Sequence, residues 1–421
     1  MDNSSEIFRL FDLPVEIIDD ILGHLPLHRD LLNFALASRS SCSVVVPRHT
    51  EYRVVHFDEG DTDFTWTHLA QRTDLASNIR EIHVIYEEAP EELDMGPWHR
   101  PEGLVGSNHN IAHKSKQQIR EDMFRALWSM TRLEKLHWNW VPGRSAQIIP
   151  RMLHILRTIP TLKHLAFHHG NDFHMDSSID KYPLWAIRGL ESLSLQGSAW
   201  NTISQMKEGK RSMLGWLQGL SSLQFLKMDT RTFLRYSKDL SFPQLQRLNL
   251  EGDTSHYLHV VPFLRRHPAI EELSLLLLMK LGQLPTNFLP KLKRLCCEPS
   301  VLLQLEMAYS RYLPPLPPRR LEYLHLSGIP PRSDERSFFR EFCDLKFLDR
   351  TTLRALSLGV SGSVSDFIDL AKTFPVIEEL YIVCELYRGK GRGMELSTFA
   401  DLLQIVPHFH NLKVIHGFSP W

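Results

Sequence analysis

The sequence carries almost no charge imbalance: 48 Lys and Arg stand against 49 Asp and Glu, a net charge of −1. A nucleic-acid binder usually shows a basic excess or stripe, and none dominates here, so nucleic acid is not an expected partner. Cysteine is scarce as well. Cys42, Cys296, Cys297, Cys343 and Cys384 are odd in number and form no C-x-x-C pair, which reads as a reduced intracellular chain and not as a disulfide framework. Long apolar runs are missing: the most apolar stretch, residues 275–279, is far too short to span a bilayer. Residues 1–6 are polar and acidic, with no basic n-region or apolar run behind them, so they do not form a secretory signal. These absences predict a soluble, cytoplasmic and/or nuclear protein with no membrane partner.

Catalytic signatures are also lacking. Neither G-x-S-x-G nor H-E-x-x-H occurs. Gly389-Lys390-Gly391-Arg392-Gly393 has neither the Gly-Lys-Ser/Thr of a P-loop nor the spacing of a dinucleotide turn, and reads as a loop. His168, His169, Asp172, His174 and Asp176 cluster in sequence, but a strand-end turn scatters such a group and no i, i+4 pair supports a metal. The expectation is a non-catalytic protein with no cofactor and no metal.

What is present begins with residues 10–49. Leu13, Ile17, Ile18, Ile21, Leu22 and Leu25 recur at helical spacing and predict a short helix with an apolar stripe, Pro14 in its first turn and Pro26 at its end. A second helix is predicted from about Asp30, with Leu31, Leu32, Ala35 and Leu36. A third runs from about Ser38 through Val45 to Pro47. So small a unit has little interior for these aliphatic side chains, which implies that some of them meet another surface.

The residues Leu13-Pro14-x-Glu16-Ile17, Ile21-Leu22-x-x-Leu25, Asp30-Leu31, Ala35, Ser38 and the closing Val46-Pro47 resemble the F-box. The resemblance covers about a tenth of the chain. It implies three helices docked on a Skp-family adaptor and, through it, on the cullin of an SCF ubiquitin ligase. Leu13, Pro14, Glu16, Ile17, Ile21, Leu22, Leu25 and Leu31 are then the adaptor-binding residues. The third helix departs from many family members, with Ser40-Ser41-Cys42-Ser43 where tryptophan or a Lys-Arg cluster is common. The alternative is a helical cap on the rest of the chain.

From residue 51 onward one triplet dominates: an aliphatic residue, two variable ones, Leu or Ile, one variable, then a third apolar residue. It occurs as Leu133-x-x-Leu136-x-Trp138, Leu162-x-x-Leu165-x-Phe167, Leu245-x-x-Leu248-x-Leu250 and Leu321-x-x-Leu324-x-Leu326, and in twelve copies from Ile79 to Leu412. Val54-Val55-His56-Phe57 is a possible thirteenth. Between Leu136 and Ile415 the middle residues are 22 to 35 apart, a leucine-rich-repeat rhythm. The second and third apolar residues face one side of an extended segment, so their neighbours face the other. Helical patterns at 117–130, 147–159, 301–313, 337–348, 365–374 and 397–406 separate the triplets. The predicted fold class is therefore α/β: a short N-terminal three-helix motif followed by a curved solenoid, parallel sheet concave and helices convex.

The chain thus resembles F-box proteins with leucine-rich repeats, which implies a substrate receptor holding a target protein for ubiquitination. The alternative is a repeat scaffold with no ubiquitin connection. The domain reading is a tail at 1–9, the F-box-like motif at 10–50, and the repeats at 51–421. A flexible insertion at 87–115 reads as a solvated spacer or as a docking arm for a basic partner. Pro314-Pro315-Leu316-Pro317-Pro318-Arg319 fits either a structural turn or a polyproline ligand. With the middle leucines inward, the concave centre is lined by Phe225, Lys227, Arg247, Asn249, Arg294, Tyr323 and His325, against one acid, Glu272. Arginine with aromatics is a hot-spot composition. It suggests an acidic or phosphorylated segment of a target, beside the plainer reading of a solvated sheet face.

Overall fold

A computed structural model describes residues 10–25, 28–46, 49–50, 52–58, 62–85, 114–140, 148–169, 182–252, 260–276, 288–310, 318–327, 335–358, 363–382 and 399–416. These residues form a mixed α/β fold of fifteen α-helices and thirteen strands. The chain divides into two compact units, Met1–Ala199 and Trp200–Trp421. The three-helix motif is grouped with the first strands, and this division falls inside the repeats.

The first unit begins with a 3-10 turn at Leu10–Asp12, then α1 (Val15–Gly23), α2 (His28–Ala37) and α3 (Arg39–Val45). It continues as β1 (Val54–Asp58), α4 (Thr62–Gln71), α5 (Thr73–Ala76), β2 (Glu81–Ile85), α6 (Lys116–Ser129), β3 (Lys135–Trp140), α7 (Ile148–Leu156), β4 (His164–His169) and β5 (Ser192–Gln196). Each strand pairs in parallel with the next. The register aligns the triplets: Ile82, Leu136, Leu165 and Leu193 stand side by side and are buried. The third apolar positions, Val84, Trp138, Phe167 and Leu195, are buried too. Each fully buried aliphatic side chain contributes roughly 2 kcal/mol, and this repeated layer is the source of the unit's cohesion.

After α8 (Ser198–Gln205), the second unit runs through α9 (Lys207–Gln218), β6 (Phe225–Asp229), α10 (Thr230–Tyr236), β7 (Arg247–Glu251), α11 (Val260–Arg266), β8 (Glu272–Leu276), β9 (Arg294–Cys297) and α12 (Pro299–Ser310). It ends with β10 (Tyr323–Leu326), α13 (Glu335–Cys343), β11 (Ala355–Leu358), α14 (Val364–Thr373), β12 (Glu379–Ile382), α15 (Phe399–Ile405) and β13 (Val414–His416). Strands β6 to β13 again pair in parallel in sequence order. Leu226, Leu248, Leu273, Leu295, Leu324, Leu356 and Leu380 form the buried row.

Both weaker triplets, at Val54 and Leu412, prove to be strands or to lead into one. The helical patterns read from the sequence do not include α4, α5, α8, α9, α10 or α11. α10 is hard to read because Asp229 is both the last residue of β6 and the cap of the helix, its carboxylate accepting from the Thr232 amide at 3.1 Å. The 87–115 insertion lies outside the described residues except for its end. There Ser115 and Gln118 close a capping box on α6, and Lys114 bonds Asp122 at 2.7 Å. Residues 1–9, Asp172, His174, Asp176, Pro314, Pro315, Pro317, Cys384 and the 389–393 loop also lie outside the described residues.

Gly252, immediately after β7, has φ +103°, and a Cβ there would stand 2.7 Å from the Asp229 carboxylate. Only glycine adopts that backbone without strain. Gly252→Ala is therefore expected to destabilise the protein by about 1–3 kcal/mol, read as a lowered urea midpoint. An unchanged midpoint would show that the turn relaxes freely.

Candidate functional site

The three helices close a core of their own. Ile18 and Leu22 from α1, Leu31 and Ala35 from α2, and Val45 from α3 are buried together, with Leu13, Leu25, Phe34, Val44 and Val46 packed around them. Pro14 precedes α1, and its carbonyl accepts from the Ile17 and Ile18 amides at 3.0 and 3.2 Å. Ser38 caps α3, its hydroxyl accepting from the Ser41 amide at 3.0 Å.

The single apolar stripe expected on α1 is two faces. Ile18 and Leu22 point into the core, while Ile17 and Ile21, one residue round the helix, are 48% and 44% exposed. Phe11, Val15, Leu32 and Leu36 are exposed as well, Leu36 at 83%. This corrects two of the residues assigned to the adaptor surface: Leu22 and Leu31, at 1% and 0% exposure, hold the helices to each other and are not available to a partner. Pro14, Glu16, Ile17 and Ile21 are on the open face, and Leu13 and Leu25 are half-buried at its margin. Six large apolar side chains exposed on so small a module are more than its own folding explains.

On the second unit the residues flanking the buried leucines face away from them. The register Phe225, Arg247, Glu272, Arg294, Tyr323 runs across five adjacent strands. The Arg247 guanidinium lies over the Phe225 ring at 5.1 Å, and that of Arg294 over Tyr323 at 5.8 Å. Stacking holds both guanidiniums extended. Glu272 stands between them, 3.8 Å from Arg294 Nε. Beside this row Lys227 is bound to Glu251 at 2.7 Å, and Asn249 donates to the same carboxylate at 3.2 Å. The face therefore has a second acid that sequence reasoning missed, and Lys227 is already neutralised by it. His325 sits within 2.7 Å of the Ser357 hydroxyl. Ser357 is buried, so this pair offers no accessible nucleophile.

The corresponding face of the first unit is histidine-rich. His56, His83 and His137 stand in register on β1, β2 and β3, with ring centroids 4.4 and 5.7 Å apart. Glu81 lies beside them, 3.2 Å from Lys135 and 3.4 Å from His83, contacts that hold its carboxyl down at about 2. Burial, then the adjacent His83, pushes His56 down to about 4. Burial also lowers His164. Lys135, His137 and His164 flank the buried Leu136 and Leu165, as His83 flanks Ile82, but the spacing of the triplets does not say which of them meet across strands.

Among the described residues, no group of three or more His, Cys, Asp or Glu side chains is placed to hold a metal ion. Among them also, no helix is long and apolar enough to cross a membrane. No protein-family model matches the chain, and no curated protein matches it.

Proposed function

We propose that the chain is the substrate-recognition subunit of an SCF-type ubiquitin ligase. On this reading α1 to α3 are an F-box that docks on a Skp-family adaptor, and the leucine-rich repeats hold a target protein. Ubiquitin transfer belongs to the partner subunits and is accelerated by proximity. The observation that carries the reading is the module's division of labour: its core is closed by Ile18, Leu22, Leu31, Ala35 and Val45, yet Phe11, Val15, Ile17, Ile21, Leu32 and Leu36 stay exposed. On the repeats, Arg247 and Arg294 planted on aromatic rings supply polar anchors for the target.

Co-expression of the full chain with a Skp-family adaptor tests this directly. The expected result is a stable complex that co-elutes in gel filtration. A well-folded chain that elutes alone would favour a second reading, a repeat scaffold with no ubiquitin role. One feature supports that alternative: Ser40, Cys42 and Ser43 are exposed on α3, where adaptor-binding family members often carry tryptophan or basic side chains.

A further inference from the structure

The helical module and the strands that follow it are joined through a polar seam, and we infer that Arg80 is the positioning residue that fixes the module's orientation on the first repeats. Among the described residues, the module's apolar cluster draws on side chains between Leu13 and Val46, so its greasy packing closes on itself. Polar groups bridge to the repeats. Arg80 Nη2 donates to the Gly23 carbonyl at the end of α1, at 2.5 Å. Arg80 Nη1 pairs with the Glu134 carboxylate.

The repeat end of this bridge is anchored at the start of the sheet. The Arg80 amide donates to the Arg53 carbonyl at 2.9 Å, and the Arg80 carbonyl accepts from the Glu134 and Lys135 amides at 2.8 Å each. The residue thus ties together the entries to β1, β2 and β3, while its side chain reaches α1. A guanidinium is well suited to that end of a helix, where unsatisfied carbonyls gather partial negative charge. Its planar fork serves two acceptors at once, which an ammonium cannot reproduce. Gly23 is fitted to the seam, since a Cβ there would lie 3.0 Å from Arg80 Nη2. Arg132 adds a looser contact to Asp20 at 4.0 Å.

The orientation claim stands on these contacts; its consequence, that Arg80 sets the direction in which a target is presented, rests on the ubiquitin-ligase reading. The test is an electron-spin distance measurement on the full chain. One label is placed on the exposed Cys42 and the other on a cysteine introduced at the exposed Thr158, with Cys296, Cys343 and Cys384 replaced by serine. The Arg80 parent should give a single narrow distance. Arg80→Ala should lose it for a broad distribution, with Arg80→Lys intermediate, while the circular-dichroism spectrum stays helical. Gly23→Ala, which crowds the guanidinium without removing it, should also broaden the distance and serves if Arg80→Ala fails to fold. A narrow, unchanged distance in either folded alanine variant would overturn the inference. Adaptor binding measured on the same proteins separates the two claims: a parent that ignores the adaptor sinks the functional reading and leaves the distance result standing.

Discussion

Replacing Ile17 and Ile21 together by aspartate is expected to abolish assembly with a Skp-family adaptor, weakening binding by 100-fold or more, while the helical module stays folded. Both side chains are substantially exposed on α1, so two carboxylates there reach water in the free protein and leave the module's buried cluster intact. In a complex they would be buried without partners. Truncating one central interface residue costs about 2 kcal/mol or more, and an unpaired buried charge adds to that. Even with strong non-additivity, about 3 kcal/mol remains, which is over 100-fold in affinity. Leu22→Ala and Leu31→Ala provide the contrast. They open cavities in the module's own core, at about 2–5 kcal/mol each. Those variants should lose helix signal along with adaptor binding, whereas the double aspartate variant should lose binding alone. Isothermal titration with circular dichroism on the same samples distinguishes the two, and undiminished affinity in the folded double variant would exclude α1 as the docking surface.

The contrast between Ile17 and Leu22 also marks where sequence reading stops. Apolar residues at 17, 18, 21 and 22 cover too wide an arc of a helix to reveal which half is buried; only packing against α2 and α3 decides it. The strands were more legible. Leu136, Leu165, Leu248 and Leu324 are buried where the triplet put them, because a period of two in an extended chain leaves one face for the core. Pairs across strands were not legible at all. Nothing in the spacing says that Arg247 rests on Phe225, or that Lys227 meets Glu251, since these depend on register between segments about two dozen residues apart. The left-handed turn at Gly252 was similarly hidden, because a lone glycine after a strand is compatible with several turns.

Acidification from pH 7.5 to 5 is expected to lower the protein's stability, and the histidines are the reason. His49, His56, His68, His164 and His267 all have pKa values lowered by burial as the leading cause. Below about 6.5 the unfolded chain takes up protons that the folded chain refuses, so it binds more protons and is favoured as pH falls. For His56 that window runs from about 6.5 down to about 4. At 1.4 kcal/mol per pKa unit the part of that window above pH 5 is worth at most about 2 kcal/mol, less whatever solvent screens at a half-buried ring. His267 shows the cause in geometry: the Phe242 amide donates to its Nε2 at 2.9 Å, while Nδ1 meets the Phe263 carbonyl at 2.7 Å. A second proton on Nε2 would set two hydrogens against each other. Glu81 gives no relief in this range. Its carboxyl, held at about 2 chiefly by His83, stabilises the fold above the usual carboxylate pKa and is lost only as pH falls from about 4.5 toward 2. Urea midpoints at pH 7.5, 6 and 5 should therefore fall steadily, and His56→Gln, which cannot titrate, should flatten the slope. Midpoints that do not move over this range would mean that His56 already accepts a proton in the folded protein, and that its stacked ring is far wetter than its packing implies.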